Sequence, residues 1–376
     1  MTLDDLVSLK HLNEAFYLCS KISHWKESTQ RYRMNLLLNN LTLREEVLNG
    51  TYRVGDTIDF TLSERGKTRV IHAPVIRDRV LQKVVVQHVL IPYLSKPLIY
   101  DNYASLKRRG TTFARKRFEI LLRRYMAKHG REGYILQIDI RKYFDSIDHG
   151  ILKEMVHRRI HEPQEIMNLI DYLIDTSSKT GIGLNLGAEA PQIFAIYYLS
   201  FVDSWIKVVQ GVKYFGRYMD DMFVISDSKE KLKLLLAGVR EKLGDLKLSV
   251  NEKKTHIVKL RHGFTFLQIK YNINENGRIT KRPTREKIVR ERRRLKRFRG
   301  LCDEGRMKED DVLNCYKSWR QSMIKDCNAC RRTIVTMDKL FKTLFPHPPK
   351  YKRRKRDEVI NETFKEATYE DLRHQR

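Results

Sequence analysis

The sequence has no hydrophobic run that approaches the roughly 18 apolar residues of a membrane-spanning helix. It also lacks the basic start of a secretion signal, because Asp4 and Asp5 stand where Lys or Arg would precede an apolar segment. Both absences argue against a membrane-embedded or secreted protein. We therefore expect a cytoplasmic protein with no membrane partner.

Cysteine is scarce, with five residues at positions 19, 302, 315, 327 and 330. They form no even set of the kind that a disulfide framework uses. Cys327 and Cys330 make a single Cys-x-x-Cys motif, and the further zinc ligands available, Cys315 and His347, are poorly spaced. We predict reduced, structural thiols.

Acidic residues are few beside basic ones: 46 Asp and Glu against 74 Lys and Arg give a net charge of +28. With 376 residues, of which 41% are hydrophobic, the chain is long enough for two or three lobes with a sizeable core. A clustered positive excess of this size indicates a polyanionic partner, and nucleic acid is the expected one.

Two short segments carry the acids that matter for chemistry. Residues 134–140 read as a buried strand that delivers Asp139 at its carboxyl end, and Tyr218-Met219-Asp220-Asp221 reads as a hairpin with both aspartates at the turn. Three carboxylates on neighbouring strand ends would form a hard oxygen site for two divalent ions, as nucleotidyl transfer requires. The alternative is a solvated Asp-Asp turn.

The order of the surrounding residues resembles the palm of a reverse transcriptase from about Leu62 to Tyr271. The tyrosine-x-aspartate-aspartate form at 218–221 is typical of RNA-templated DNA polymerases. Five segments resemble the family's motifs in order, at 139–149, 183–192, 218–221, 246–255 and 263–267. The chain looks most similar to compact bacterial and phage enzymes, including those of diversity-generating retroelements and antiphage defence systems.

This resemblance implies an α+β fold, a right-hand polymerase with fingers, a palm of antiparallel sheet and helices, and a small helical thumb. We expect N-terminal helices and fingers in 1–124, palm with part of the fingers in 125–275, thumb in 276–345 and a basic tail in 346–376. Between Lys281 and Arg299 there are eleven Lys or Arg and two acids, with an apolar stripe at Ile288, Leu295, Phe298 and Leu301. A thumb helix that grips a duplex fits this pattern better than a solvated surface helix.

The resemblance also assigns roles at the reaction centre. Two Mg²⁺ ions, with Mn²⁺ as a substitute, are expected at Asp139, Ile140, Asp220 and Asp221. Lys254 would protonate the leaving pyrophosphate, with Lys253 or a plain solvated lysine as the alternatives. The nearby Asp145 and Asp148 are expected to cap a helix or form salt bridges.

Further residues are expected to touch the substrates. Phe144 would exclude a ribonucleotide 2′-hydroxyl, although an ordinary core phenylalanine is the alternative. Tyr218 and Met219 are expected at the primer end, and Gln192 at the nascent base pair. Lys67 and Arg69 would contact the triphosphate, with Arg77 and Arg79 as alternatives. The residues expected on the duplex are Arg292, Arg293, Arg294 and Arg297.

The function implied is RNA-directed DNA synthesis in a bacterial or phage-infected cell. Its partners would be a template RNA, the primer–template duplex, deoxynucleoside triphosphates, and an accessory protein or structured non-coding RNA. Gly187, Pro191 and Gln192 come closest to the glycine-x-x-x-serine-glutamine form of diversity-generating enzymes, with proline replacing serine. The alternatives are an RNA-binding maturase or scaffold with a vestigial palm, and an RNA-templated RNA polymerase.

Overall fold

The computed structural model describes residues 1–21, 23–64 and 67–346, except for the side chains of 63, 64 and 67. The chain divides into two compact units, Met1–Thr280 and the unit that starts at Lys281. The expected basic tail lies outside the described residues after Pro346. No helix within the described ranges is long and apolar enough to cross a membrane.

The first unit begins with helices and a strand hairpin, as the sequence predicts. These elements are α1 (Leu3–Leu6), α2 (Leu9–Ser20), α3 (Glu27–Met34), α4 (Leu36–Leu48), β1 (Ile58–Glu64) and β2 (Lys67–Ala73). Next come α5 (Ile76–Val85) and α6 (Ile91–Leu94), which a π-helical turn joins. The four valines predicted for the inner face of this helix are fully buried: Val80, Val84, Val85 and Val89.

The central part of this unit is a four-stranded antiparallel sheet with helices packed around it. Its elements are α7 (Thr111–His129), β3 (Tyr134–Ile138), α8 (His149–His157), α9 (Gln164–Asp175), α10 (Glu189–Tyr198), α11 (Ser200–Ser204), β4 (Phe215–Tyr218), β5 (Asp221–Ser226), α12 (Lys229–Asp245) and β6 (His256–Lys259). The strand order is β4-β5-β3-β6. Because α10 is apolar nearly all round, it lies in the interior.

A second sheet contains β7 (Phe264–Phe266), β8 (Ile269–Ile273) and β9 (Ile279–Pro283), in that order. Its aromatic face packs on α7, where the ring of Phe118 lies 5.4 Å from Phe264 and 4.9 Å from Phe266. Leu267 and Gln268 form the two-residue turn between β7 and β8 with φ values of 45° and 65°. This turn therefore carries two non-glycine residues in the left-handed region.

The second unit is helical, with α13 (Arg285–Asp303), α14 (Glu309–Asp326) and α15 (Arg331–Leu344). Its core includes Leu295, Tyr316 and Phe341, and Ile288 and Phe298 pack against it as the sequence predicts. Cys302 rather than the expected Leu301 completes the contact face of α13. Because α13 turns 100° per residue, adjacent positions face different sides, and this one-residue error reverses which side chain is inside.

No disulfide joins the cysteines, all of which lie within the described residues, and Cys327 and Cys330 are buried. Cys330 Sγ lies 3.6 Å from the carbonyl oxygens of Met323 and Cys327, so a main-chain contact satisfies this thiol. Neither cysteine belongs to a metal-binding cluster within the ranges that the structure describes. Their burial fits a structural role, and their reduced state stays a prediction.

Candidate active site

The hairpin between β4 and β5 turns one residue earlier than the sequence suggests. Tyr218 pairs with Asp221, so the two-residue loop is Met219–Asp220 and Asp221 already belongs to β5. Met219 has a φ of 54°, a conformation that glycine usually supplies at the first position of such a loop. The prediction that both aspartates sit at the turn was wrong, because strand pairing continues to the Tyr218–Asp221 pair.

Asp139 follows β3 directly, as predicted. β3 pairs with β5 in the register Ile138↔Met222, and extending that register by one residue sets Asp139 opposite Asp221. Directly opposed residues of an antiparallel pair have side chains on the same face, with Cβ atoms about 5 Å apart. Strand pairing therefore places Asp139, just after β3, and Asp221, at the start of β5, on one face at the same end of the sheet.

The Asp139 carboxylate is held by the loop that follows Val250. Lys254 Nζ lies 2.5 Å from Oδ1, and Asn251 Nδ2 donates to Oδ2 at 2.7 Å. The main-chain N–H of Asn251 also donates to the Asp139 carbonyl at 2.7 Å. Lys254, and not the alternative Lys253, is thus beside the carboxylate. The sequence interpretation missed Asn251, although its position three residues before Lys254 was a usable signal.

Electrostatics link Asp220 to Asp139. Burial raises the pKa of Asp220, and the negative charge of Asp139 raises it further, while Lys254 and Arg69 lower it. A carboxylate whose pKa is raised by a neighbouring negative charge lies near that charge. The contribution of Arg69 also puts this residue of β2 within electrostatic reach of the turn.

One cavity of about 920 Å³ joins most of the predicted site residues. Its lining includes Arg69, Asp139, Ile140, Phe144, Tyr218, Met219, Asp220, Asp221 and Lys254. Ile140 has a buried apolar side chain, so only its main-chain oxygen has ligand chemistry. Phe144 is half-buried at the cavity wall, with its ring 5.8 Å from that of Tyr143.

Gln192, Arg77 and Arg79 are not among the described residues that line this cavity. Gln192 is exposed on α10 and accepts a hydrogen bond from Ser105 Oγ at 3.2 Å. Arg77 forms an ion pair with Glu46, and Arg79 donates to the carbonyl of Cys19, so these alternatives to Arg69 are engaged elsewhere. The side chain of Lys67 lies outside the described part of the chain.

A glycine fixes how the β1–β2 hairpin meets the cavity. The N–H of His72 in β2 donates to the carbonyl of Leu186 at 3.1 Å, beside Gly187. Gly187 has a φ of 124°, and a Cβ there would lie 2.9 Å from the His72 carbonyl oxygen. Only glycine allows this approach, which keeps β2 and its Arg69 at the cavity.

Two basic residues of the cavity were missed by the sequence interpretation. Lys142 is exposed at the cavity and has a φ of 46°, again in the left-handed region. Arg115 of α7 also lines the cavity, and its Nη2 donates to the Leu267 carbonyl at 2.8 Å. Lys142 lies within the segment 139–149, three residues after Asp139, so its position was a usable signal. Arg115 lies outside all five segments and is brought to the cavity by tertiary structure.

Asp148 has the structural role that the sequence predicts. Its Oδ1 accepts from the N–H of Ile151 at 3.0 Å and caps α8, and its Oδ2 lies 2.8 Å from Lys247 Nζ. The Lys247 contact is the largest cause of its lowered pKa. Asp145, by contrast, is exposed at the cavity.

The carboxylates of Asp139, Asp220 and Asp221 have the ligand chemistry that hard divalent cations prefer, although they are not close enough together to hold an ion in this structure. Among the described residues, no group of three or more His, Cys, Asp or Glu side chains is close enough to hold a metal ion. Lys254 and Asn251 hold both oxygens of Asp139 in this structure. A cation would offset the charges that raise the pKa of Asp220, so the metal site stays a prediction that this geometry favours.

In the second unit, the four predicted duplex-binding arginines are not equivalent. Arg292, Arg293 and Arg297 are exposed on α13. Arg294 is half-buried, donates to the buried Glu291 at 2.8 Å, and lies over the ring of Phe298 at 5.6 Å. Arg294 therefore has a partner within the helix.

Comparison with known proteins assigns the chain to a family. A model of the family described as "Reverse transcriptase (RNA-dependent DNA polymerase)" matches residues 59–271, more than half of the chain. The chain belongs to this family. It is also 23% identical to Protein YkfC of Escherichia coli (strain K12), over 60% of this chain and 69% of that protein.

A solved telomerase structure has a similar fold. The telomerase of Candida albicans, in complex with a TWJ fragment of telomeric RNA, matches with a TM-score of 0.50 at 13% identity, over 84% of this chain and 58% of that one. Apo telomerase of Candida tropicalis truncated from the C-terminal domain matches with a TM-score of 0.46 at 15% identity, over 65% and 60%. The chain thus spans about 60% of these telomerases. The predicted fold class, an α+β right-hand polymerase, is confirmed.

Proposed function

We propose that this reverse transcriptase extends a primer on an RNA template with deoxynucleoside triphosphates. The observation that carries the proposal is the single cavity where Asp139, Asp220 and Asp221 meet Phe144 from the palm and Arg69 from the β1–β2 hairpin. Acidic metal ligands and a cation for the phosphates are parts that nucleotidyl transfer uses, and a ring beside the sugar would select deoxynucleotides.

The chain's own residues divide this work. Arg69 and Lys142 offer positive charge to the triphosphate, and the Phe144 ring excludes a ribonucleotide 2′-hydroxyl. Lys254, now paired with Asp139, supplies a proton for the leaving pyrophosphate. Asp139, Asp220, Asp221 and the main-chain oxygen of Ile140 would hold two Mg²⁺ or Mn²⁺ ions. When bound, the metal would activate the primer hydroxyl and offset charge on the phosphates.

The proposed partners are a template RNA and the primer–template duplex, for which the exposed arginines of α13 provide phosphate contacts. An accessory protein or structured non-coding RNA is proposed as a further partner. We propose a role in a diversity-generating retroelement or an antiphage defence system, supported by the Gly187-x-x-x-Pro191-Gln192 segment.

The deciding experiment compares Asp220→Asn with wild type and with Asp227→Asn, a charge-matched control at the exposed far end of β5. Asparagine keeps the shape of Asp220 but removes a negative metal ligand. Primer extension on RNA with Mg²⁺ should be lost in Asp220→Asn, while folding and RNA affinity persist and the control stays active. Full activity in Asp220→Asn would overturn the catalytic assignment.

The same assay separates the alternatives. Extension with ribonucleotides in preference to deoxynucleotides would make the chain an RNA-templated RNA polymerase. Tight RNA binding by wild type with no synthesis on any primed template would instead make it a maturase or scaffold. Sequencing RNA and DNA that co-purify with the protein identifies the template.

A further inference from the structure

A buried ion pair lies directly behind the turn that carries Asp220. Arg217 in β4 and Asp203 in α11 both have fully buried side chains. Arg217 Nε lies 2.8 Å and 2.9 Å from the two Asp203 oxygens, and Nη2 lies 2.5 Å from Oδ2. The guanidinium and carboxylate therefore meet as a two-pronged pair, the strongest form of this contact.

The rest of the guanidinium is directed at main-chain carbonyls. Nη2 also donates to the carbonyl of Ile196 in α10 at 2.8 Å, and Nη1 donates to the carbonyl of Met219 at 3.0 Å. One side chain thus connects α10, α11 and the Met219–Asp220 turn. Only arginine presents donors in this planar fork, so lysine cannot satisfy all three acceptors at once.

The contact with Met219 is made at a residue whose backbone conformation is unfavourable for a non-glycine residue. Met219 has a φ of 54°, which a non-glycine residue adopts only when its surroundings impose it. Its carbonyl belongs to the peptide unit that leads into Asp220. Because peptide units are planar, fixing this carbonyl fixes the plane from which the Asp220 side chain departs.

The main chain of Arg217 is held from the other side. Its N–H donates to the carbonyl of Asp101 at 3.0 Å, and its carbonyl accepts from the N–H of Tyr103 at 2.9 Å. Next to it, a Cβ on Gly216 would lie 2.2 Å from the Tyr103 hydroxyl. These contacts hold strand β4 in place. The hydrogen bond from the Arg217 guanidinium to the Met219 carbonyl then fixes the turn relative to that strand.

Stability alone does not explain such a pair. Burying two charges costs desolvation energy, and replacing a buried ion pair with apolar residues of similar volume is often neutral or stabilising. We propose that Arg217, oriented by Asp203, is a positioning residue that sets the geometry of Asp220 for metal binding and turnover. This inference rests on the proposed function, since it assigns a role within the same site.

The test uses the full chain with Arg217→Lys and with the double variant Arg217→Met, Asp203→Leu. Mn²⁺ alone is titrated into the protein without nucleic acid or nucleotide, and free Mn²⁺ is followed by its electron spin resonance signal. Primer extension gives kcat and KM separately, and thermal unfolding gives Tm. Arg320→Lys is the control, because Arg320 Nε lies 3.0 Å and 3.2 Å from the two oxygens of Asp338 within the second unit, and this pair is not part of the contacts that hold β4.

We expect both Arg217 variants to bind Mn²⁺ at least about tenfold more weakly and to lose about a hundredfold in kcat with KM for the nucleotide little changed, because a shift of about 1 Å in a catalytic group has that effect. The double variant should keep a Tm close to wild type. A folded double variant with wild-type Mn²⁺ affinity and kcat would overturn the proposal, as would an Arg320→Lys control with equal losses.

Folding failures are also decisive. If the double variant does not fold, Arg217→Lys decides by the same two measurements. If Arg217→Lys is unfolded too, Arg217 is required for folding and the positioning role is rejected. Absence of DNA synthesis in wild type would remove the proposed function, whereas the Mn²⁺ titration would still test whether Arg217 positions Asp220.

Discussion

The exposed face of α13 gives the sharpest quantitative prediction for nucleic-acid binding. Replacing Arg292, Arg293 and Arg297 with glutamine removes three exposed charges from one helix. Each arginine that no longer neutralises a phosphate lowers the slope of log affinity against log salt by about 0.9. The triple variant should therefore lower the slope by about 2.7. As the salt concentration rises fourfold, the ratio of wild-type affinity to variant affinity should fall by about 40-fold.

The assay is fluorescence anisotropy of an RNA–DNA primer–template hybrid, titrated with protein at several salt concentrations from about 50 to about 200 mM. A charge-matched control replaces Lys229, Lys231 and Lys233 on the exposed side of α12 with glutamine. The control should leave the slope nearly unchanged. Equal changes in both triple variants would mean that general electrostatics, and not α13, determines binding.

Arg294 supplies an internal control within the same helix. Because it donates to Glu291 and covers Phe298, Arg294→Gln should change the salt slope by less than the same substitution at any of its exposed neighbours. It should lower Tm instead, since the buried Glu291 is deprived of its partner. A drop of a full unit in slope with Tm unchanged would refute this division of roles.

The elements that the sequence predicted well are those whose pattern repeats along the chain. The valines of residues 77–94 recur at helical spacing, and the structure buries all four in one helix interrupted by a π-helical turn. The alternation in 58–71 likewise became the β1–β2 hairpin. In the helix, local periodicity is sufficient because one face meets the core. In the hairpin, the alternation predicted the strands although Ile58, Phe60, Leu62 and Val70 are exposed.

The elements that it predicted poorly depend on contacts between distant segments. The turn begins at Met219 because Tyr218 and Asp221 pair across strands, and Arg217 is buried with Asp203 although both residues are charged. Gln192 faces Ser105 instead of the cavity, since the rotation of α10 is set by its buried neighbours. A sequence pattern records neither which carbonyl a guanidinium reaches nor how a helix is rotated.

The remaining predictions concern single residues. Phe144→Ala should raise the use of ribonucleotides relative to deoxynucleotides, measured as a ratio of kcat/KM on one RNA template, whereas Phe144→Tyr keeps the ring and should keep the ratio. Asp148→Ala should cost about 1 kcal/mol in urea unfolding through loss of the α8 cap, and Asp148→Asn, which retains a capping oxygen, should cost less.

The last prediction concerns Asp220 in metal-free buffer. Burial and the charge of Asp139 raise the pKa of Asp220 in the folded state, so the stability that protonation provides is lost as pH rises through that pKa. Asp220→Asn should therefore raise Tm at pH 7 and give a smaller gain as the pH approaches the ordinary aspartate pKa of about 3.9. Asp227→Asn should have the opposite sign, because hydrogen bonding by Lys231 lowers the pKa of Asp227 and its charged form stabilises the fold at neutral pH. If Asp220→Asn instead lowered Tm at pH 7 and the decrease persisted at acid pH, its carboxylate would be a stabilising partner in the folded chain, and the crowded pair of acids inferred for the site would be refuted.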